Sequence, residues 1–323
     1  MTNSKGHHLK LDANKFPLLI FAILLLFVIA AVSLLACVPP VSRDALTHHL
    51  FVPKLYIEYG GIHELPNLKF SYYPMNLDFL YLIPLYFKND IIPKFIHFVF
   101  AVITGILIYR YLLRRINVTF ALLGALFFLS IPIIVRLSST VYVDLGLICF
   151  LFASLLYLFR WKESDFKLKY LFISAFFCGL ALGTKYNGLV ALFLLAMFCA
   201  FVYARHRAGA RLYGAKAIVW CAVFITVALM IFSPWMIKNF TWTGNPVYPL
   251  YNSVFNPKMT SAQTESNPMF EEQGRMSHIQ IRSQIYGESW AEIALIPVRV
   301  FFQGKDNTPK YFDGKISPFL LLL

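Results

Sequence analysis

The sequence predicts an all-α fold, a polytopic membrane helix bundle with about seven transmembrane helices and the start of an eighth. Three observations carry that prediction. Apolar residues make up 59% of the chain and charged residues 14%, against roughly 45–50% and about 25% in soluble domains. Uncharged runs of nearly twenty residues recur, the length that crosses a hydrocarbon layer about 30 Å thick. The polar residues collect in two large loops and a few short turns instead of being spread along the chain.

Residues 1–15 are polar, carry Lys5, Lys10 and Lys15, and read as a cytoplasmic tail. Residues 16–38 run 23 positions without a charge. That is too long for a signal-peptide core, and Pro39-Pro40 is no small-residue cleavage site, so this is a retained first span. The first outer loop is 39–90. There Ser42 is a candidate N-cap with Asp44 in the first turn, predicting an interfacial amphipathic helix that reaches Tyr59 and bends near Pro53. Gly60-Gly61 breaks it, 66–74 reads as extended, and 75–87, interrupted by Asp78 and Pro84, is apolar but too short to span.

Further spans are predicted over 91–113, 118–135, 141–159, 170–184, 186–203 and 217–237. Pro234 and the stretch Thr243-Gly244-Asn245-Pro246 mark a turn-rich exit from the last of them. The domain reading is a transmembrane unit over 16–255, an extracytoplasmic loop over 256–315, and a further, truncated span beginning at 316–323. The five cysteines lie in or beside apolar runs with no CxxC spacing and read as packing residues.

The formal charge of +13 would suit a nucleic-acid partner if it formed a patch, but its distribution is topogenic. The tail and the turns after the second, fourth and sixth spans hold 14 Lys/Arg against three acids. By the positive-inside rule the N-terminus is cytoplasmic and both large loops face the other side of the cell (inner) membrane. Nucleic acid drops out as a partner.

Candidate chemistry gathers on that outer face. Asp44, His48, His49, Glu64 and Asp78 lie in the first outer loop, Asp144 near the outer end of the fourth span, and Lys185 on the tight turn between the fifth and sixth. Asp44 and His48 are four apart and share a helix face, with His49 about 100° away. A carboxylate at Asp44 serves as a general base on a hydroxyl, as a ligand for a divalent cation, or as a complement to the helix N-terminus. Glu64 and Asp78 read as solvated loop carboxylates. Asp144 divides between function and a bond to its neighbouring turn. Lys185 follows Gly179 and Gly183, a small-xxx-small pair that permits close helix approach. An ammonium at that depth suits a lipid phosphate or simply snorkels. Arg275, Arg282 and Arg299 in the last loop suit phosphate or solvent equally.

Several stretches together resemble the GT-C superfamily of polyprenyl-phosphate-dependent glycosyltransferases, nearest its bacterial mannosyltransferase-like and oligosaccharide-transferring branch. They are Asp44-Ala45-Leu46-Thr47-His48-His49-Leu50, Gly60-Gly61-Ile62-His63-Glu64-Leu65-Pro66, Tyr142-Val143-Asp144-Leu145, Gly179-Leu180-Ala181-Leu182-Gly183-Thr184-Lys185-Tyr186, and Pro234-Trp235-Met236-Ile237-Lys238-Asn239 running into Thr243-Gly244-Asn245-Pro246. The resemblance covers about residues 16–255. It implies a polyprenyl-phosphate sugar donor, a lipid or glycan acceptor, and reaction on the non-cytoplasmic face. It implies Asp44 as the acid that activates the acceptor or holds a cation such as Mg or Mn; His48, His49 or Glu64 stand as alternative candidates for a second catalytic group beside it. It implies Lys185 as the contact to the donor phosphate, with Asp144 and Asp78 at the same substrate site. Where relatives show a paired acid, this chain has Arg43 and Ala45 beside Asp44. Two other classes stand beside this one: a transporter or flippase of lipid-linked substrates, and a non-catalytic truncated relative. A transporter places ionisable residues at mid-membrane on interrupted helices, and the centres of the first four spans and of the sixth carry no charge.

Overall fold

The computed structural model describes residues 16–206, 211–257 and 278–305, together with 308, 310–312, 316, 318 and 320. Among the described residues every regular element is helical. Helix α1 (Phe16–Ala36) buries only Val32 and Ala36 fully and packs Leu25, Val28 and Ile29 on the bundle, leaving its other face for lipid. The outer loop then forms a π-helical turn, Ala45–His49, and α2 (Phe51–Glu58). Its next helix is α3 (Asn76–Tyr86). The bundle continues with α4 (Ile92–Arg115), α5 (Val118–Ser130), α6 (Pro132–Ser138), α7 (Asp144–Glu163), α8 (Leu168–Leu182), α9 (Gly188–His206) and α10 (Arg211–Thr243).

Each predicted span coincides with helix, but not all as single spans. Five helices, α1, α4, α7, α9 and most of α10, are long and apolar enough to cross a membrane. The third predicted span is split: α5 and α6 meet at 67°. Pro132 is the cause, because the ring clashes with a helical Ile131 and drives that residue extended (ψ 126°). Counting the bent pair as one span gives up to six. Helix α8 has 15 residues, about 22 Å at 1.5 Å per residue, short of the full hydrocarbon thickness.

Elsewhere in the chain, several local expectations need correction. The exit expected at Pro234 does not occur; α10 runs through it for 33 residues. Proline withdraws the bond due to the carbonyl of Met230, and the Ser233 hydroxyl donates to that carbonyl instead, at 2.8 Å. The single helix expected from Ser42 to Tyr59 is instead a π turn followed by α2. Pro53 sits in the first turn of α2, where its N–H would have no intrahelical partner. The stretch expected to be extended holds a 3₁₀ turn, Lys69–Tyr72. Arg282 and Arg299 are neither solvated nor open to phosphate: both close on the buried Glu288, at 2.8 and 3.0 Å. Arg275 and most of 316–323 lie outside the described residues.

Close approach of small residues holds the bundle's centre. α8 packs between α7 and α10, with Ser154 and Ser174 hydrogen-bonded across the first interface at 3.0 Å. Gly179 lies against α10 so tightly that a Cβ would stand 2.6 Å from the carbonyl oxygen of Ala228. Gly183 meets Asn76 of α3, and Gly146 of α7 meets Leu77. The outer-loop helices are thereby seated on the ends of α7 and α8, where the candidate site lies.

Candidate active site

The local backbone of the outer loop decides which side chains meet. Leu50 N–H donates to Ala45 C=O at 2.8 Å, an i→i+5 bond that widens the turn by one residue. Positions five apart now share a face, so His49 comes round beneath Asp44. The expectation that only His48 faces the site is therefore corrected by one inserted residue. Both imidazoles line the cavity, with ring centroids 4.0 Å apart.

That cavity has a volume of about 290 Å³. It is lined by Asp44, His48 and His49 from the π turn, and by Phe70, Tyr73, Pro74, Met75 and Asp78 from the rest of the outer loop. Tyr142 and Val143 come from the approach to α7, and Thr184 and Lys185 from the α8–α9 turn. Asp144 stands at its edge as the first residue of α7, bonded to Lys185 at 2.8 Å. Of the seven residues singled out in the sequence, six are thus gathered at one place. Glu64 is not: it is exposed in the outer loop, where its carboxylate accepts from the Tyr72 hydroxyl at 2.7 Å.

The charged groups differ in what they already hold. Asp78 is not the solvated loop carboxylate expected. It is 2% exposed and accepts from His49 Nδ1–H at 2.7 Å, with His49 itself 7% exposed. This buried pair satisfies both groups, which a lone buried carboxylate could not achieve. Lys185 and Asp144 are about one-third and one-quarter exposed, so solvent competes for the pair. Asp144 also complements the positive end of α7. The Asp44 carboxylate is exposed and makes no capping bond to its own helix; among the described residues it has no ion-pair partner. It is the site's free carboxylate.

His48 stacks on Phe70 with ring centroids 4.3 Å apart. Burial, reinforced by the neighbouring His49 and Lys185 and opposed by Asp144, pushes its pKa down to about 3. The ring is neutral at physiological pH and offers a hydrogen bond, not a charge. Burial likewise raises the Tyr73 phenol, which keeps its proton as a donor at the cavity wall.

Among the described residues no three His, Cys, Asp or Glu side chains converge as a metal-binding set. Asp44 therefore stands without co-ligands, and the described donor set does not fit a divalent cation.

Supporting residues missed in the sequence hold the site's edges. His97, fully buried in α4, donates from Nδ1 to the carbonyls of Leu137 and Thr140 and accepts the Leu145 N–H at Nε2. It therefore fixes the turn that presents Asp144. Tyr81 donates to the carbonyl of Tyr142 beside it. Asn76 accepts from Trp235 Nε1 at 2.8 Å and donates to Leu180 C=O, while its own N–H reaches Gly183 C=O. These bonds clamp the turn that carries Lys185. The signal for His97 was present in the sequence, since an ionisable residue within an apolar span demands a partner.

Residues 87–237 match the family model described as dolichyl-phosphate-mannose-protein mannosyltransferase. That match supports a GT-C, mannosyltransferase-like membrane protein. The matched stretch, a little under half of the chain, runs from the end of α3 into α10 and includes His97, Asp144, Lys185 and Trp235. Asp44, His48, His49 and Asp78 lie before it. None of the curated proteins and none of the solved structures matches the chain.

Proposed function

We propose that the protein transfers a sugar from a polyprenyl-phosphate donor to an acceptor hydroxyl at the outer cavity. One observation carries the reading: a free carboxylate and a neutral imidazole from one stretch of the chain, and an ammonium from another 137 residues on from that imidazole, border one cavity at the ends of its helices. At about 290 Å³ the cavity is near the lower end of ligand pockets, roughly 300–1,000 Å³. That suits a sugar phosphate headgroup whose isoprenoid stays in lipid.

In this scheme Asp44 takes the proton from the acceptor hydroxyl as its oxygen attacks the anomeric carbon. The bond between that carbon and the phosphate oxygen breaks, and the polyprenyl phosphate leaves with the electron pair. Lys185 exchanges Asp144 for the phosphate and stabilises the charge that develops there. His48 and the Tyr73 hydroxyl orient the sugar by hydrogen bonds. The buried His49–Asp78 pair holds the π turn in register beneath Asp44.

The test is transfer from radiolabelled polyprenyl-phosphate sugars by the purified protein. Asp44→Asn is expected to lower the rate by about 10²-fold or more, the range for loss of a general base. Transfer at the wild-type rate would remove Asp44 as the base.

A further inference from the structure

A second cavity, of about 520 Å³, lies between the C-terminal ends of α4 and α7. Asp144 begins α7 and Arg160 and Glu163 end it, so about 24 Å of helix, at 1.5 Å per residue, separates Asp144 from Arg160 at the mouth of this cavity. The sugar-transfer scheme makes no use of this end of the bundle.

Its mouth is strongly basic. Arg110, Arg114 and Arg115 of α4 and Arg160 of α7 all line it, against the single carboxylate of Glu163. That carboxylate is already paired with Arg115, whose guanidinium also lies over the Tyr111 ring at 4.9 Å. Arg160 rests over the Tyr157 ring at 5.4 Å. Arg110 and Arg114, four apart on one helix face, repel each other, and among the described residues neither has a carboxylate partner. Topogenic arginines need only sit at a helix end; these converge on one concavity with their charge uncompensated.

Further from the helix ends the wall changes character. Leu107 lies one turn inward of Arg110, and Leu156 and Ala153 lie one and two turns inward of Arg160, all lining the same cavity. A cationic mouth over an apolar floor has the polarity of an amphiphile. An anion in water would leave the floor exposed, and a hydrocarbon chain would leave the arginines unpaired.

We propose that this cavity binds the headgroup of an anionic phospholipid, with Arg110, Arg114 and Arg160 on the phosphate and the upper acyl chain against Leu107, Ala153 and Leu156. Guanidinium suits that role because its fork of donors matches phosphate oxygens. The inference does not depend on the outer cavity's chemistry.

The experiment delipidates the purified full-length protein in detergent, reloads it from mixed phosphatidylglycerol and phosphatidylcholine vesicles, and counts bound lipids by native mass spectrometry. Wild-type protein is expected to retain phosphatidylglycerol over phosphatidylcholine. A triple variant, Arg110→Gln, Arg114→Gln and Arg160→Gln, is expected to lose that lipid about a hundredfold, at roughly fivefold per interfacial arginine. The control removes three charges beside the cavity, Lys162→Gln, Lys167→Gln and Lys169→Gln, and is expected to retain it. Equal loss in the lysine control would reduce the effect to diffuse surface charge and overturn the site. Equal retention of both lipids by the wild type overturns it even where the triple variant fails to fold, and so does displacement of the lipid by millimolar inorganic phosphate.

Discussion

Asp78 and His49 show how much one contact changes a residue's meaning. Asp78→Ala leaves the buried His49 Nδ1–H without its acceptor, an omission worth about 1–3 kcal/mol of stability. Asp78→Asn keeps an acceptor oxygen and is expected to recover most of it; thermal unfolding in detergent reads both. Lys185 is expected to matter for binding instead. Lys185→Ala removes a charge-assisted bond to the proposed phosphate, worth about 1.5–3 kcal/mol, and should weaken donor affinity roughly ten- to a hundredfold. Unchanged affinity in a well-folded variant would remove Lys185 from the donor site. For His48, the folded-state pKa of about 3 lies below the ordinary 6.5, so between those values the unfolded chain binds the extra proton. Stability therefore falls as pH drops through 6.5 towards 3. His48→Gln should flatten that part of the stability profile, which thermal midpoints at pH 5 and pH 7 would show. Between pH 5 and pH 8 the neutral ring contributes no ionisation to the rate profile.

Helix contacts set the next level. A side chain at Gly179 meets backbone, not a movable side-chain end, because the Ala228 carbonyl stands 2.6 Å from the added Cβ. Gly179→Val is therefore expected to push α8 off α10, losing about 1–3 kcal/mol by overpacking and moving the α8–α9 turn that carries Lys185. Gly60→Ala is the contrasting case. Nothing lies within 4 Å of its added Cβ, and only the left-handed φ of 71° resists it, so about 1 kcal/mol is expected. Comparing detergent-extracted yield and melting of the two variants separates packing from backbone strain.

At the scale of the molecule, the bundle's charge asymmetry makes a topological prediction. The turns after α4, α7 and α9 carry the basic excess, which predicts a cytoplasmic position for them and the opposite face for the outer cavity. A cysteine in place of exposed Lys54 should react with an impermeant maleimide added outside intact cells. One in place of Lys162 should react only after permeabilisation, in a background freed of the five native cysteines. Reversed labelling would put both proposed sites on the wrong faces.

Composition and run length were enough to determine the membrane bundle, most of its helices and the end of the bundle at which Asp44, Asp144 and Lys185 collect, because hydrocarbon imposes an apolar length on every crossing. The seating of Gly179 was legible too, since small residues four apart have few other uses. Three things only the tertiary structure decided. A π turn is one residue of slack with no compositional mark, so regular helical spacing turns His49 away from the face on which Asp78, 29 residues away, holds it. The Ser233 hydroxyl rescues the carbonyl that Pro234 deprives, so a residue that reads as a helix end became part of a 33-residue helix. Lys185 and Asp144 are 41 positions apart, and no local pattern encodes that one neutralises the other. Periodicity reports what a residue's neighbours in sequence demand; which distant group satisfies a buried charge is settled by packing alone.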